Sequence, residues 1–128
     1  MPELAEVETL MRYLKKNILD QEIVSFQTFM TGEMYALLAR QSVLKHSVAV
    51  KGWDDAAFEA ALSEAISRPE SVAATLFGLR AASLVGDQSA EVARARLSGL
   101  LIGLELAATR PYWLGQNLAI IGATEVVE

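Results

Sequence analysis

The segment of this sequence best equipped for chemistry is Phe29-Met30-Thr31-Gly32-Glu33. A β-rich run hands over there to a helix, where free backbone N–H groups and a hydroxyl can meet an anion. A second candidate is Ile120-Ile121-Gly122-Ala123-Thr124, in which an apolar run ends in small residues. Ligands of α/β sheets sit at the carboxyl ends of strands, and small side chains there let a flat ring approach. Most strand–helix turns bind nothing, so neither pattern by itself names an activity. The single histidine, His46, stands beside Lys45 near a helix end and reads as a solvated residue. Asp54, Asp55 and Glu59 read as a solvated helix start. Gly99 and Gly103 have the spacing that lets a neighbouring element approach closely. No phosphate-binding glycine loop, dinucleotide fingerprint or Gly-x-Ser-x-Gly occurs. With no cysteine in the sequence, disulfides, Cys-ligated zinc and thiol chemistry are excluded.

The elements that must position these residues follow from periodicity. Leu4, Val7, Leu10, Met11 and Leu14 predict an amphipathic helix from Pro2 to Asn17, with acidic residues toward its start and basic ones toward its end. Ile23 to Phe29 alternates as a strand does. Thr31 is the expected N-cap of a helix with an apolar face of Met34, Leu37, Leu38 and Leu44. Gly52 and Trp53 break the pattern, and Asp54 caps a helix from about Asp55 to Ser67. Arg68-Pro69-Glu70 punctuates, because a residue before proline avoids the α region. Ser71 then caps a helix to about Val85, ended by Gly86-Asp87. The longest helix runs from Ser89 to about Arg110, with Val92, Leu97, Leu100, Leu101, Leu104 and Ala108 on its apolar face, and Pro111 stops it. Leu118 to Ile121 reads as a strand buried on both faces. The fold class is therefore α/β and helix-rich. A buried strand needs partners for its backbone groups, and this inventory supplies few, so the chain reads as part of something larger.

Composition narrows the functional classes. A chain of 128 residues fits one domain. Its 52% apolar content leaves less polar sequence than usual to cover a surface, as expected of a piece that packs against a partner domain. A net charge of −5 repels phosphate backbones, and Arg12, Lys15 and Lys16 are too few for a basic patch, so nucleic-acid binding is not expected. The opening residues lack a basic and apolar leader pattern. The most apolar stretch, Leu97 to Ala108, is too short to span a bilayer and is interrupted by Glu105. The expectation is a soluble, cytoplasmic protein without a membrane partner.

Three segments carry a resemblance. Phe26-Gln27-Thr28-Phe29-Met30-Thr31-Gly32-Glu33 resembles the Thr-x-Met-Thr-Gly-Glu segment of 2-dehydro-3-deoxygalactonokinases. Leu76-Phe77-Gly78-Leu79-Arg80-Ala81 is similar to their Leu-Phe-x-x-Arg-Ala. Leu97-Ser98-Gly99-Leu100-Leu101-Ile102-Gly103-Leu104-Glu105 resembles their Leu-Ser-Gly-Leu-Leu-Ile-Gly-x-Glu helix. The three occur in family order between residues 23 and 124. The resemblance implies the C-terminal part, residues 23–128, of a sugar-acid kinase with an actin-like, ribonuclease-H-like ATPase fold, whose two domains close over ATP-Mg and a sugar acid. It implies substrate or cleft roles for Thr31, Gly32, Glu33 and Arg80, and a nucleotide-side role for Gly122, Ala123 and Thr124. The family's Asp-Trp-Gly phosphate hairpin and its Gly-Thr-His segment have no counterpart here. ATP and Mg are thus expected of the family, with no tight binding by this chain alone.

Residues 1–22 read as a separate N-terminal helical segment, and residues 1–24, opening Met1-Pro2-Glu3-Leu4-Ala5-Glu6, resemble the start of formamidopyrimidine-DNA glycosylases. That resemblance implies Pro2 as a Schiff-base nucleophile and Glu3 as an acid. The rest of that enzyme is missing, and flipping a base needs a DNA-gripping surface and a pocket. The leading expectation is the kinase lineage, as an incomplete and inactive fragment. The alternative is a non-enzymatic chain that self-associates through Leu118 to Ile121 and through Leu97, Leu100, Leu101 and Leu104.

Overall fold

The computed structural model describes residues 31–118. These form five helices and two 3-10 turns: α1 (Thr31–Gln41), a turn at Val43–His46, α2 (Asp55–Ser67), a turn at Pro69–Ser71, α3 (Val72–Leu84), α4 (Ala90–Ala108) and the short α5 (Arg110–Trp113). The fold is helix-rich, and no strand occurs among the described residues. The expected helix Pro2 to Asn17 and strand Ile23 to Phe29 lie outside the described residues. So does the expected strand after Leu118, itself exposed and outside any helix.

The expected cap chemistry holds at Asp54, and the structure adds a second cap at Ser89. Asp54 is extended, and its Oδ1 accepts the Ala57 N–H at 2.8 Å, satisfying a donor that the first turn of α2 leaves free. Ser89 does the same for α4, accepting from the Val92 N–H at 3.2 Å. Ser71 does not. Its hydroxyl donates backward to the Arg68 carbonyl at 2.8 Å, because the Pro69–Ser71 turn already leads the chain into α3 in a helical conformation. Gly86, at φ +81°, closes α3: its N–H donates to the Ser83 carbonyl and that of Asp87 to the Ala82 carbonyl, a left-handed C-terminal cap that favours glycine. Pro111 does more than stop α4. It stands in the first turn of α5, where a missing N–H costs nothing. The Trp113 indole folds back to donate to the Leu106 carbonyl at 2.8 Å.

The centre of the molecule is the contact of α2 with α4. A Cβ on Gly99 would lie 2.5 Å from the Phe58 carbonyl oxygen and 3.0 Å from the Ala61 Cβ. One on Gly103 would lie 2.7 Å from both the Leu62 carbonyl oxygen and the Ala65 Cβ. The two glycines therefore let the backbones touch through a seam completed by Ala61 and Ala65, both buried. Later residues of α2 meet later residues of α4, so the two helices run parallel. α3, about 20 Å long at 1.5 Å per residue, carries the chain back between them. Gln88 fastens the α3–α4 corner: its amide nitrogen donates to the Leu79 carbonyl and its amide oxygen accepts from the Arg96 guanidinium.

On the other side of α4, Leu97, Leu100 and Leu101 are buried with Leu79, Val72, Leu44 and Val48. Each such leucine contributes about 1.5–3 kcal/mol of burial. The expected face of α4 needs correction at one end. Ala108 is exposed, while Ala93, Ala95, Gly99 and Gly103 are buried, because α4 is covered on two sides rather than one. The expected face of α1 is also rotated. Met34 and Leu37 are exposed, and Tyr35, Leu38 and Ala39 pack on the core. Leu44 belongs to the following turn rather than to α1. Leu97, Leu100 and Leu101 are covered by their own chain and Leu104 is half-buried, so these four do not form the open apolar face expected. Large apolar side chains show instead on the outer side of α3, at Phe77, Leu84 and Val85.

Candidate functional site

Thr31, Gly32 and Glu33 form the first turn of α1, which begins at Thr31 itself rather than after it. Thr31 is buried, whereas Gly32 and Glu33 are exposed. The cause is a tether across the molecule: the Thr31 backbone N–H donates to Glu105 Oε2, 74 positions away on α4, at 3.1 Å. A carboxylate at a helix start is favourable, because the unpaired N–H groups there carry partial positive charge. One of the donors that the sequence offers to an anion is thus engaged by an anion of the same chain. The tether also explains the rotation of α1. With Thr31 turned inward, the residues one and two turns on, Tyr35, Leu38 and Ala39, must follow it onto the core.

Arg80 lies on α3, half-buried, and its Nη1 donates to Ser47 Oγ at 3.2 Å. Ser47 is buried at the end of the 3-10 turn that follows α1. Arg80 therefore engages the chain beyond one end of α1, while Thr31–Glu33 occupy the other end. α1 is about 16 Å long at 1.5 Å per residue. Only three polar residues are buried among the described ones, Thr31, Ser47 and Thr109. Two of them are the anchor points of α1. No buried side-chain polar atom among the described residues lacks a hydrogen-bond partner.

The other candidates take simpler places. His46 is exposed in the 3-10 turn, and Asp55 and Glu59 are exposed on α2. No group of three or more His, Cys, Asp or Glu side chains that could hold a metal occurs among the described residues. No described helix is long and apolar enough to cross a membrane. Pro2, Glu3, Gly122, Ala123 and Thr124 lie outside the described residues. Glu105 and Ser47 carried no expected role in the site. The available signal for Glu105 was its position as the one charge in the apolar run from Leu97 to Ala108. Ser47 carries no comparable signal.

The three motif segments are therefore physically connected, the first to the third through Thr31 and Glu105. The sequence model of the 2-keto-3-deoxy-galactonokinase family matches residues 16–128. The chain belongs to that family. A Rhizobium meliloti (strain 1021) protein described as a 2-dehydro-3-deoxygalactonokinase is 44% identical over 92 residues, covering 69% of this chain and 30% of the relative. The Escherichia coli (strain K12) 2-dehydro-3-deoxygalactonokinase is 33% identical over 107 residues, covering 83% of this chain and 36% of the relative. A crystal structure from Sinorhizobium meliloti, described as a 2-dehydro-3-deoxygalactonokinase protein, is similar with a TM-score of 0.62 and 41% identity. That similarity covers 66% of this chain and 29% of the solved one. The chain spans about a third of the length of the curated 2-dehydro-3-deoxygalactonokinases it matches. The family match begins at residue 16, so it takes in the end of the glycosylase-like stretch 1–24 and leaves Pro2 and Glu3 outside.

Proposed function

We propose that this chain is the sugar-acid side of a 2-dehydro-3-deoxygalactonokinase. The whole protein transfers a phosphoryl group from ATP to the 6-hydroxyl of 2-dehydro-3-deoxy-D-galactonate. The family match over residues 16–128 carries this reading. By resemblance the complete enzyme has an actin-like, ribonuclease-H-like fold, with residues 23–128 in its C-terminal domain and residues 1–22 as a separate helical segment. In that arrangement Thr31, Gly32, Glu33 and Arg80 stand on the substrate side. Gly32 and Glu33 are the two that α1 presents outward. Gly122, Ala123 and Thr124 stand on the nucleotide side. A cytoplasmic setting accords with ATP as the phosphoryl donor.

Phosphoryl transfer is mostly positioning and charge stabilisation, with the metal bridging phosphate oxygens. The described residues do not fit a Mg site, since no acidic cluster that could hold a metal occurs among them. In this reading the described residues hold and orient the acceptor sugar, Gly122, Ala123 and Thr124 meet the nucleotide, and the phosphate hairpin comes from another part of the whole enzyme. The apolar side chains exposed on α3 accord with a piece that packs against a larger protein.

A graft tests this directly. Residues 23–124 replace the matching stretch of the Rhizobium meliloti relative, and the chimaera is assayed for ATP-dependent phosphorylation of 2-dehydro-3-deoxygalactonate. Turnover by the chimaera is expected. A folded chimaera that binds ATP but transfers no phosphoryl group to the sugar acid would refute the proposal.

A further inference from the structure

We infer that Glu105 and Arg80 are a pair of positioning residues, Glu105 holding the head of α1 and Arg80 holding the turn that follows its tail, and that together they fix the direction in which Gly32 and Glu33 face. The functional part of this inference rests on the substrate-side reading of α1 above. The grip itself is a separate matter of geometry.

At the head of α1 the contact is charge-assisted: a carboxylate oxygen of Glu105 accepts the Thr31 N–H at 3.1 Å, at the end of the helix where backbone donors are unpaired. Beyond its tail, the Arg80 guanidinium donates to the buried Ser47 hydroxyl at 3.2 Å. Both anchored residues are almost fully enclosed, Thr31 at 6% and Ser47 at 4% exposure. Polar groups so placed need partners, and here the partners come from two different helices, α4 and α3. The body of α1 offers weaker hold. Tyr35, Leu38 and Ala39 pack on the core only partly buried, while Met34 and Leu37 project outward. Apolar packing of this kind tolerates rotation of a helix about its axis. The hydrogen bond at its head does not, and the bond to Ser47 holds the turn into which its tail leads. Rotation by a single residue, about 100°, would break the Thr31–Glu105 bond and carry Gly32 and Glu33 to another side.

The two grips also join the three motif segments into one mechanical unit. The first segment is held by the last residue of the third, and the arginine of the second holds the turn that follows α1. Glu105 and Arg80 thus act through Thr31 and Ser47, not through contact with reacting atoms. Arg80 acquires a task that does not require it to touch the sugar acid.

Amide hydrogen exchange on the full 128-residue chain tests the grip. In Glu105→Ala, exchange across the first turn of α1 should rise by about tenfold or more, the loss expected when a hydrogen bond to a charged acceptor is removed. Exchange in α2 and α4 should not change. Glu105→Gln keeps an acceptor oxygen at the same reach and should restore most of the protection. Arg80→Ala and Ser47→Ala should each loosen the tail of α1, and the double variant should be no worse than either alone, since they remove the same bond. Unchanged exchange in α1, or an equal rise in every helix, would overturn the grip. Glu105→Met, of similar length but without an acceptor oxygen, and Ser47→Ala keep the test available if Glu105→Ala or Arg80→Ala fails to fold. A second arm titrates the unmodified chain with 2-dehydro-3-deoxygalactonate and follows the Gly32 and Glu33 amide resonances. Shifts confined to that turn, weakened in Glu105→Ala and recovered in Glu105→Gln, support positioning for function. Their absence in the unmodified chain would overturn the substrate-side reading of α1 whatever the exchange shows.

Discussion

Substituting Gly99 with alanine sets two known effects against each other, and the geometry decides the sign. In an open helix alanine is better than glycine by about 1 kcal/mol. Gly99 is not open. Its new methyl would sit 2.5 Å from the Phe58 carbonyl oxygen and 3.0 Å from both the Leu62 nitrogen and the Ala61 Cβ. Two of those three atoms are backbone, so no side chain can swing away. Relief requires α2 as a whole to withdraw by roughly an ångström, and a gap of that size forfeits a quarter to a half of the dispersion along the seam. Overpacking of this kind costs about 1–3 kcal/mol, and backbone obstruction puts Gly99 toward the upper end. Subtracting the helix preference leaves a net loss of about 1–2 kcal/mol, which lowers the melting temperature of a domain this size by roughly 5–15 °C. Gly78 on α3 is the control, since nothing lies within 4 Å of its added Cβ. Gly78→Ala should keep the helix preference and raise the melting temperature by a few degrees. Thermal unfolding followed by far-UV circular dichroism reads both. A Gly99→Ala variant as stable as the parent, or both variants shifting the same way, would refute the close-seam account.

Asp54→Ala removes the acceptor for the Ala57 N–H at the start of α2 and should lower stability by about 1 kcal/mol. Asp54→Ser should recover most of it in urea unfolding. The 128-residue chain alone should show no ATP-dependent phosphorylation of 2-dehydro-3-deoxygalactonate, because the Asp-Trp-Gly phosphate hairpin of the family has no counterpart in its sequence. Turnover that depends on this chain in a coupled assay would contradict that.

Local signals in the sequence located most of the helices. Asp54, Ser89 and Gly86 mark boundaries through chemistry confined to a few neighbouring residues, and the helices begin and end beside them. Gly99 and Gly103 announced a close approach, though not that Ala61 and Ala65 would be the other side of it. What failed was facing. Met34 and Leu37 are more apolar than Thr31, so periodicity turned α1 the wrong way. The true orientation is set by a bond from Thr31 to a residue 74 positions away, which no local pattern reports. Ser71 failed for a different reason, since the proline two residues earlier had already begun the helical conformation. The same division applies to the candidate site. Thr31, Gly32, Glu33 and Arg80 are candidates through their motifs, Glu105 stands out only as the one charge in an apolar run, and Ser47 gains its contact from tertiary structure alone.

The tether from α4 to the head of α1 closes a loop of 74 residues, about twice the separation bridged by the α2–α4 seam. Closing a longer loop costs more chain entropy, and a long-range contact becomes worthwhile only once the intervening chain is ordered. The α2–α3–α4 unit can assemble first, and α1 then docks on a surface already made. An element that arrives last and packs only partly is also the first to leave, so local opening should begin at Thr31 rather than in the seam. A ligand bound to the outward turn of α1 in its docked state alone would oppose that opening by mass action. Substrate binding and the last step of folding would then be a single equilibrium, with α1 as the part that both control.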